Sequence, residues 1–235
     1  MPTQSPSAFS SLNEISAEFD QWAAVGRGDS MAAGHNYATK KLLENFQLDR
    51  TSVVLDAGCG IGWVLNNLIG AHIAEGIGID LSPDMVAIAS ERCQLSHLKF
   101  LTADSAATPF EMETFSHIIS VESIYYNAQP VAALKEWWRI SQQSAQLGLV
   151  IDLYQGNPSA QYWIEALPIS AHNFSTAEWI ELLKAAGWNG IRAETIPLPI
   201  QISEETFKAS RYFPSYDIYK AYCAAGSLIL RAKKD

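Results

Sequence analysis

Hydrophobic and polar positions divide the chain into a helical N-terminal part and a longer part in which short apolar runs alternate with helical segments. Before residue 50, a helical spacing that glycines at 26, 28 and 34 interrupt predicts helices around Ile15–Val25 and His35–Phe46. From residue 51 onward, continuous apolar runs predict strands that are buried on both faces, as in a parallel sheet. The predicted strands are Val53–Leu55, Ile77–Ile79, Lys99–Ala103, Ser116–Val121, Leu147–Ile151, Ile191–Ile196 and Ser227–Ala232.

Helical segments connect these strands. Trp63–Ile69 and Val131–Ile140 have helical apolar spacing, and Ser82-Pro83 is a typical helix start because serine caps free amides and proline suits the first turn. Ser175-Thr-Ala-Glu178 is a capping-box pattern that opens another helix. The alternation predicts an α/β fold, namely a doubly wound, Rossmann-like, mostly parallel seven-stranded sheet with an N-terminal helical cap. We expect a tail and cap over residues 1–50 and the core over residues 51–235.

Candidate chemistry follows the first strand, in Val53-Val-Leu-Asp-Ala-Gly-Cys-Gly-Ile-Gly-Trp63. Its glycines permit a close approach of a ligand to the backbone, and the helix that follows presents free amides to a carboxylate. A dinucleotide fingerprint counted from Gly58 would place its last glycine at Trp63, which is the bulkiest residue. Asp56 would repel a pyrophosphate, whereas it suits a ligand that carries ammonium and sulfonium charges. An NAD-dependent oxidoreductase is therefore disfavoured.

The same segment resembles the Asp/Glu-x-Gly-x-Gly-x-Gly motif of class I S-adenosylmethionine-dependent methyltransferases. Gly76–Ser82, Phe100–Ser105 and Phe115–Glu122 resemble the second, third and fourth strand motifs of that family, in the same order. The family often has Lys-Pro-Gly-Gly before the fifth strand, where this chain has Ser141–Leu147, which we interpret as a turn.

The resemblance implies that S-adenosylmethionine is the cofactor. In the family, the acidic residue at the position of Asp80 holds both ribose hydroxyls, and the one at the position of Asp104 binds the adenine amino group. The implied cofactor-binding residues are Asp56, Ala57, Gly58, Cys59, Gly60, Gly62, Asp80, Leu81, Met85, Asp104, Ser105 and Val121.

The acceptor has no sequence signature. Direct in-line methyl transfer to a small molecule is the expected reaction, with a general base needed if the acceptor is a poor nucleophile. Segments 154–174 and 200–222 are expected to cover the acceptor, and no catalytic residue is assigned. The candidate acceptor-site residues are His35, Tyr37, Glu122, Tyr125, Tyr126, Tyr154 and His172. A non-catalytic S-adenosylmethionine-binding module stays open as an alternative.

Composition limits the partners. The net charge is −9, and the basic residues are scattered, so nucleic acid is not an expected partner. Three distant cysteines have neither disulfide nor zinc spacing, which favours a reducing, cytoplasmic setting and predicts no metal. No apolar run approaches the ~20 residues of a membrane span, and the start lacks the pattern of a signal peptide. The oligomeric state cannot be predicted from these features.

Overall fold

A seven-stranded sheet runs through the computed structural model, which describes residues 9–235. The strand order is β3-β2-β1-β4-β5-β7-β6, and β7 is antiparallel to both neighbours whereas the other pairs are parallel. The doubly wound, mostly parallel sheet predicted from the sequence is confirmed. The strands are β1 Val53–Ala57, β2 Glu75–Asp80, β3 Leu98–Thr102, β4 Phe115–Val121, β5 Ser141–Ile151, β6 Asn189–Ile196 and β7 Ser227–Lys233.

Seven α-helices accompany the sheet in the described residues. Among residues 9–235, none of them has the length and apolar content to cross a membrane. The first two form the predicted N-terminal helical part. The helices are α1 Leu12–Ala24, α2 Arg27–Leu43, α3 Pro83–Arg92, α4 Pro130–Ile140, α5 Ala160–Ala166, α6 Thr176–Ala185 and α7 Tyr216–Ala225.

The core lies on both faces of the sheet. Leu149 and Ile151 of β5 pack in one cluster with the buried Trp137 of α4. Val150, between them, belongs to a second cluster with Leu42 of α2. Because neighbouring residues of a strand point to opposite faces, these two clusters explain why the strands appear in the sequence as continuous apolar runs.

The predicted glycine breaks in the N-terminal part are wrong at two of three positions. Gly26 has a φ of +70° and separates the first two helices, but α2 continues through Gly28 and Gly34. A Cβ on Gly28 would lie 2.5 Å from Cγ2 of Ile61, so this glycine lets the helix approach the loop after β1. The helix predicted around His35–Phe46 thus begins eight residues earlier, at Arg27.

Two further segments differ from the sequence prediction. Ser141–Leu147, interpreted as a turn, forms the first part of β5, which begins directly after α4 and contains Ser144 with a φ of +62°. Val64–Ile69 is a π-helical segment instead of an ordinary helix, and the Gly70 N–H bonds the Leu65 carbonyl five residues back. Most of the predicted N-terminal tail, residues 1–8, lies outside the described residues.

Candidate functional site

The order of strands reverses at β1, which lies between β2 and β4. At such a switch point, the loops after neighbouring strands separate and leave a crevice at the carboxyl ends. A cavity of about 120 Å³ lies there. We call it the switch-point cavity, and its lining includes Gly58, Gly60, Asp80, Met85 and Val121.

The glycine loop after β1 forms the floor of this cavity. Gly58, Gly60 and Gly62 all have positive φ angles, of +77°, +51° and +72°. In the described residues, no heavy atom lies within 4 Å of a Cβ built on Gly60, so the backbone there is open to a ligand. Asp80 fixes the loop, because its Oδ2 accepts a hydrogen bond from the Gly60 N–H at 2.8 Å and its Oδ1 accepts one from the Ser82 N–H at 3.0 Å.

Asp56 is buried beneath this loop with 1% of its surface exposed. Its Oδ2 has no hydrogen-bond partner within residues 9–235. Burial, reinforced by the charge of Asp80, raises the pKa of Asp56 to about 8. A cationic ligand in the cavity would stabilise the ionised form of this carboxyl, so the site fits a ligand with positive charge.

Helix α1 covers the switch-point cavity. Ser16 donates a hydrogen bond to the Leu81 carbonyl at 2.9 Å, and Ser82 donates one to Asp20 at 2.5 Å. These two bonds join α1 to the loop after β2. They hold Phe19 over the cavity, where its ring meets the edge of Tyr126 at a centroid distance of 5.1 Å.

The structure brings most residues of the predicted cofactor set to this cavity. Gly58, Cys59, Gly60, Asp80, Leu81, Met85, Ser105 and Val121 line it. Asp56, Ala57, Gly62 and Asp104 do not. Asp104 is half-buried and accepts a hydrogen bond from the Ala106 N–H at 2.9 Å, which closes its own turn. Ile15, Phe19 and Trp22 of α1 also line the cavity, and they were not predicted because apolar helical spacing gives no sign of which surface a helix covers.

A second cavity of about 630 Å³ adjoins the first, and we call it the outer cavity. Nine of its 23 lining residues are aromatic, which suits a flat apolar ligand. The two cavities share five lining residues: Trp22, Met31, His35, Glu122 and Tyr126. At its wall, the Arg27 guanidinium stacks 3.6 Å from the ring centroid of Trp22 and 4.7 Å from that of Tyr212.

Segments 154–174 and 200–222 both contribute to the outer cavity. The first supplies Trp163 and Leu167, and the second supplies more of the wall, including Tyr212, Phe213 and Tyr222. Trp163 meets Phe213 and Tyr222 edge-on, at centroid distances of 5.8 and 5.4 Å. These aromatic contacts join the two segments to each other.

A cluster of buried ionisable groups lies where the two cavities meet. Glu122 directly follows β4 with a φ of +55°, an unusual backbone conformation for a residue other than glycine. Its carboxylate accepts hydrogen bonds from the Tyr125 hydroxyl at 2.7 Å and from the Asp152 backbone N–H. Asp152 directly follows β5, and its Oδ2 lies 3.2 Å from Nδ1 of His35 and accepts a 2.6 Å hydrogen bond from Tyr222.

The charges of this cluster act on one another. Burial, together with the charge of Asp152, raises the pKa of Glu122 above its usual range. Burial lowers the pKa of His35, but the negative charges of Glu122 and Asp152 outweigh burial and raise that pKa to about 9. Burial raises the pKa of Asp152, but the positive charge of His35 prevails and holds it below the usual range. The directions of these shifts favour an imidazolium–carboxylate pair between His35 and Asp152 and the protonated form of Glu122.

The donor set His35, Glu122 and Asp152 also has a geometry that a metal ion could use, since the three ligand atoms lie within 4.8 Å of one another. However, both carboxylates already accept hydrogen bonds, Glu122 from Tyr125 and Asp152 from Tyr222. These hydrogen bonds and the ion pair between His35 and Asp152 engage all three side chains.

The predicted acceptor residues fall into two groups. His35, Tyr37, Glu122, Tyr125 and Tyr126 line the outer cavity, whereas Tyr154 and His172 do not. The Tyr154 hydroxyl donates to the carbonyls of Ala225 and Gly226, and His172 stacks between Phe9 and Phe174 and bonds the Asn127 carbonyl. Asp152 was missed, although it follows the fifth predicted strand as directly as Asp56, Asp80 and Asp104 follow the first three.

Comparisons with known proteins agree on one family. A family model described as a methyltransferase domain matches residues 54–144. A chain of the complex between the Haloferax volcanii Trm112 methyltransferase activator and a methyltransferase is 29% identical, with a TM-score of 0.82, over 92% of this chain and 97% of that one. An uncharacterised methyltransferase-like protein of Schizosaccharomyces pombe is 25% identical over 68% of this chain and 62% of its own length. Malonyl-(acyl-carrier protein) O-methyltransferase of Marinomonas sp. is 30% identical over 57% of this chain and 50% of its own length.

The chain spans between half and about three fifths of the length of these two curated relatives. The matched family region contains β1 to β4 and their loops, which supply most of the switch-point cavity. It ends before β6, α7 and β7, and it excludes residues 200–222, which form much of the outer cavity wall. The similarity therefore concerns the switch-point half of the molecule more than the outer cavity.

Proposed function

We propose that this chain, which belongs to the class I S-adenosylmethionine-dependent methyltransferases, transfers a methyl group to a small-molecule acceptor that is bound in the outer cavity. The observation that carries the proposal is the junction of the two cavities at His35, Glu122 and Tyr126. A cofactor in one cavity and an acceptor in the other would meet there.

The residues of the switch-point cavity fit the cofactor. S-Adenosylmethionine supplies, when bound, a methyl group that its sulfonium charge has already activated. We propose that the open backbone at Gly60 approaches the methionyl part, while Asp80, at the end of β2, holds the ribose hydroxyls. The buried carboxyl of Asp56 suits the positive charges of that ligand, and Trp22 and Phe19 of α1 exclude water from above.

The residues of the outer cavity fit a small acceptor. Its volume of about 630 Å³ lies in the ordinary range of ligand pockets, roughly 300 to 1,000 Å³. Because charge disperses as a methyl group leaves a sulfonium, an aromatic, water-poor site favours the reaction, and the main task of the protein is alignment. The activator protein belongs to the Haloferax volcanii complex, and the present proposal does not depend on such a partner.

Thermal unfolding with S-adenosylhomocysteine, S-adenosylmethionine and NAD in parallel tests the cofactor. A ligand at 100 times its dissociation constant should stabilise the protein by about 2.7 kcal/mol. We expect stabilisation with the first two compounds that Asp80→Ala abolishes. Asp84→Ala is the matched control, because Asp84 is exposed on α3 four residues further along and does not line the cavity.

The same experiment separates the alternatives. Stabilisation by NAD alone would indicate an oxidoreductase instead of a methyltransferase. The sequence disfavours that outcome, because Trp63 lines the cavity at the position where a dinucleotide fingerprint has its packing glycine. Stabilisation by S-adenosylmethionine with no turnover of any acceptor would leave the non-catalytic binding module. Absence of stabilisation by either S-adenosyl compound would contradict the proposal.

A further inference from the structure

We propose that His35, held by Asp152, is the general base of the transfer, and that the acceptor presents a weakly acidic hydroxyl on an aromatic ring. This inference rests on the proposed methyltransferase function and names the substrate class of the outer cavity. It begins from the orientation of one imidazole ring at the junction of the two cavities.

One edge of the imidazole ring faces a buried carboxylate. Nδ1 of His35 faces Oδ2 of Asp152 at 3.2 Å, and the ring lines both cavities. The opposite nitrogen, Nε2, is therefore the one available to a ligand. A carboxylate that orients a histidine through one ring nitrogen, so that the other meets the reacting group, is the usual arrangement of an oriented general base.

Asp152 is itself firmly held. It has no exposed surface, its Oδ2 accepts a hydrogen bond from Tyr222, and its carbonyl accepts one at 2.7 Å from the Asn157 side chain. An aspartate in this position acts on the acceptor only through His35, since Asp152 does not line the outer cavity. We therefore assign Asp152 and Tyr222 as positioning residues and His35 as the group that takes the proton.

The charges around His35 favour a neutral acceptor over a cationic one. Asp152 balances the imidazolium, and the raised pKa of Glu122 keeps that carboxyl protonated at neutral pH. Tyr125 donates to Glu122, and Arg27 adds a positive charge at the cavity wall. An ammonium acceptor would find no free counterion among these groups, whereas an uncharged hydroxyl compound needs none.

The aromatic walls favour an aromatic acceptor, and the acidity of its hydroxyl group favours a phenol. Nine aromatic side chains surround the cavity, and ring stacking on such walls favours a flat aromatic ligand. A phenolic hydroxyl has a pKa of about 10, as in tyrosine. The pKa of His35, at about 9, lies close to this value, so proton transfer between the two groups is nearly balanced. An aliphatic alcohol is far less acidic and lacks that match.

The proposed step is a nucleophilic substitution at the methyl carbon. The hydroxyl proton passes to Nε2 of a neutral His35, and the phenolic oxygen forms a bond to the methyl carbon. The carbon–sulfur bond breaks, and its electron pair remains on sulfur. The products are an aryl methyl ether and S-adenosylhomocysteine, and the imidazolium then returns its proton to solvent through the outer cavity.

The first test measures the titration of His35 without turnover. In ¹⁵N-histidine NMR of the protein loaded with S-adenosylhomocysteine, His35→Gln identifies the signal, and His72→Gln, on an exposed position, is the control. We expect titration near pH 9 in the unchanged protein. Asp152→Asn should move it to lower pH because the imidazolium loses its counterion, and Tyr222→Phe should move it to higher pH because Asp152 loses a competing donor.

The second test measures class preference with 2-naphthol and 2-naphthylmethylamine, which share one ring system. Formation of S-adenosylhomocysteine should occur with 2-naphthol and rise with pH toward 9, as the neutral fraction of His35 grows. His35→Gln should lower kcat at least tenfold. Tyr222→Phe should move the rise of kcat with pH to higher pH, by the same amount as it moves the NMR titration of His35. Binding of 2-naphthol, followed by quenching of Trp22 and Trp163 fluorescence, gives a readout that does not depend on turnover.

Three outcomes would overturn the inference. One is turnover of the amine with none of the phenol, and another is a pH limb that neither Asp152→Asn nor Tyr222→Phe moves. The third is a protein that binds S-adenosylhomocysteine but neither binds nor methylates 2-naphthol. Failure to bind S-adenosylhomocysteine at all would instead contradict the proposed function.

Discussion

Replacement of Asp56 by asparagine should stabilise the protein without its cofactor at neutral pH. The folded carboxyl has a pKa of about 8, against 3.8 for an unperturbed aspartate, because it is buried beside Asp80. Between pH 3.8 and pH 8, Asp56 is protonated in the folded state and ionised in the unfolded state. Burial of this carboxyl therefore costs no stability below pH 4, and the free energy of unfolding falls as pH rises to 8. At 1.36 kcal/mol for each pKa unit, the loss at pH 7 is about 4 kcal/mol, which asparagine avoids.

Urea unfolding at pH 5, 6, 7 and 8 measures this effect as a difference between the two proteins. The stability advantage of Asp56→Asn should be about 1 to 2 kcal/mol at pH 5, grow by about 1.4 kcal/mol for each pH unit up to pH 7, and grow more slowly as pH approaches 8. Using the difference removes the contributions of His35 and Glu122, which titrate in both proteins. Asp104→Asn is the matched control, because Asp104 is a half-buried aspartate two residues after β3.

The reasoning would be refuted by an advantage that does not change with pH, or by a loss of stability at pH 7. The same variant should bind S-adenosylmethionine more weakly, since a neutral amide cannot balance the charges of the ligand. Weaker binding together with greater stability would show that the buried carboxyl serves the ligand at the expense of the fold.

Two glycine comparisons extend these predictions. Gly28→Ala should destabilise the protein by about 1 to 3 kcal/mol in urea unfolding, because its Cβ would lie 2.5 Å from Ile61, whereas Gly34→Ala, in open space on the same helix, should stabilise by about 0.5 to 1 kcal/mol. Equal effects would disprove the contact. Gly226→Ala should lower the free energy of unfolding by roughly 3 kcal/mol or more, since φ is +73° and the Cβ would lie 2.1 Å from the last carbonyl oxygen of β6. Gly190→Ala should lower it by about 1 kcal/mol, because φ is +57° but the Cβ would lie in free space.

The sheet was predictable because its signal is local and repeated. The buried strands β1, β2, β4 and β7 and the second part of β5 contain apolar runs, and acidic residues at or just after the ends of β1, β2, β4 and β5 mark their carboxyl ends. The path of α2 through Gly28 was not predictable, since a glycine that breaks a helix and one that permits close packing look alike in a sequence. The strand at Ser141–Leu147 was also not predictable, because its polar residues have low strand propensity and pairing with β4 and β7 holds them in the sheet.

The candidate site divides in the same way. The glycine loop and Asp80 are close in sequence to the strands that present them, so their spacing predicted the switch-point cavity. The outer cavity joins α2, the ends of β4 and β5, and residues beyond 198, which lie far apart in the chain. The pairing of His35 with Asp152 depends on tertiary packing across more than a hundred residues, and no spacing rule brings such a pair together.

The antiparallel insertion of β7 between β5 and β6 has a consequence for the order of assembly. The edge strand β6 precedes β7 in the chain but joins the sheet through it, so residues 189–196 have no neighbour to pair with until residues 227–233 have left the ribosome. The intervening residues 197–226, which include α7 and much of the outer cavity wall, connect these two strands. Strands β1 to β4 need no such late arrival. A nascent chain would therefore complete the switch-point cavity first and the outer cavity last.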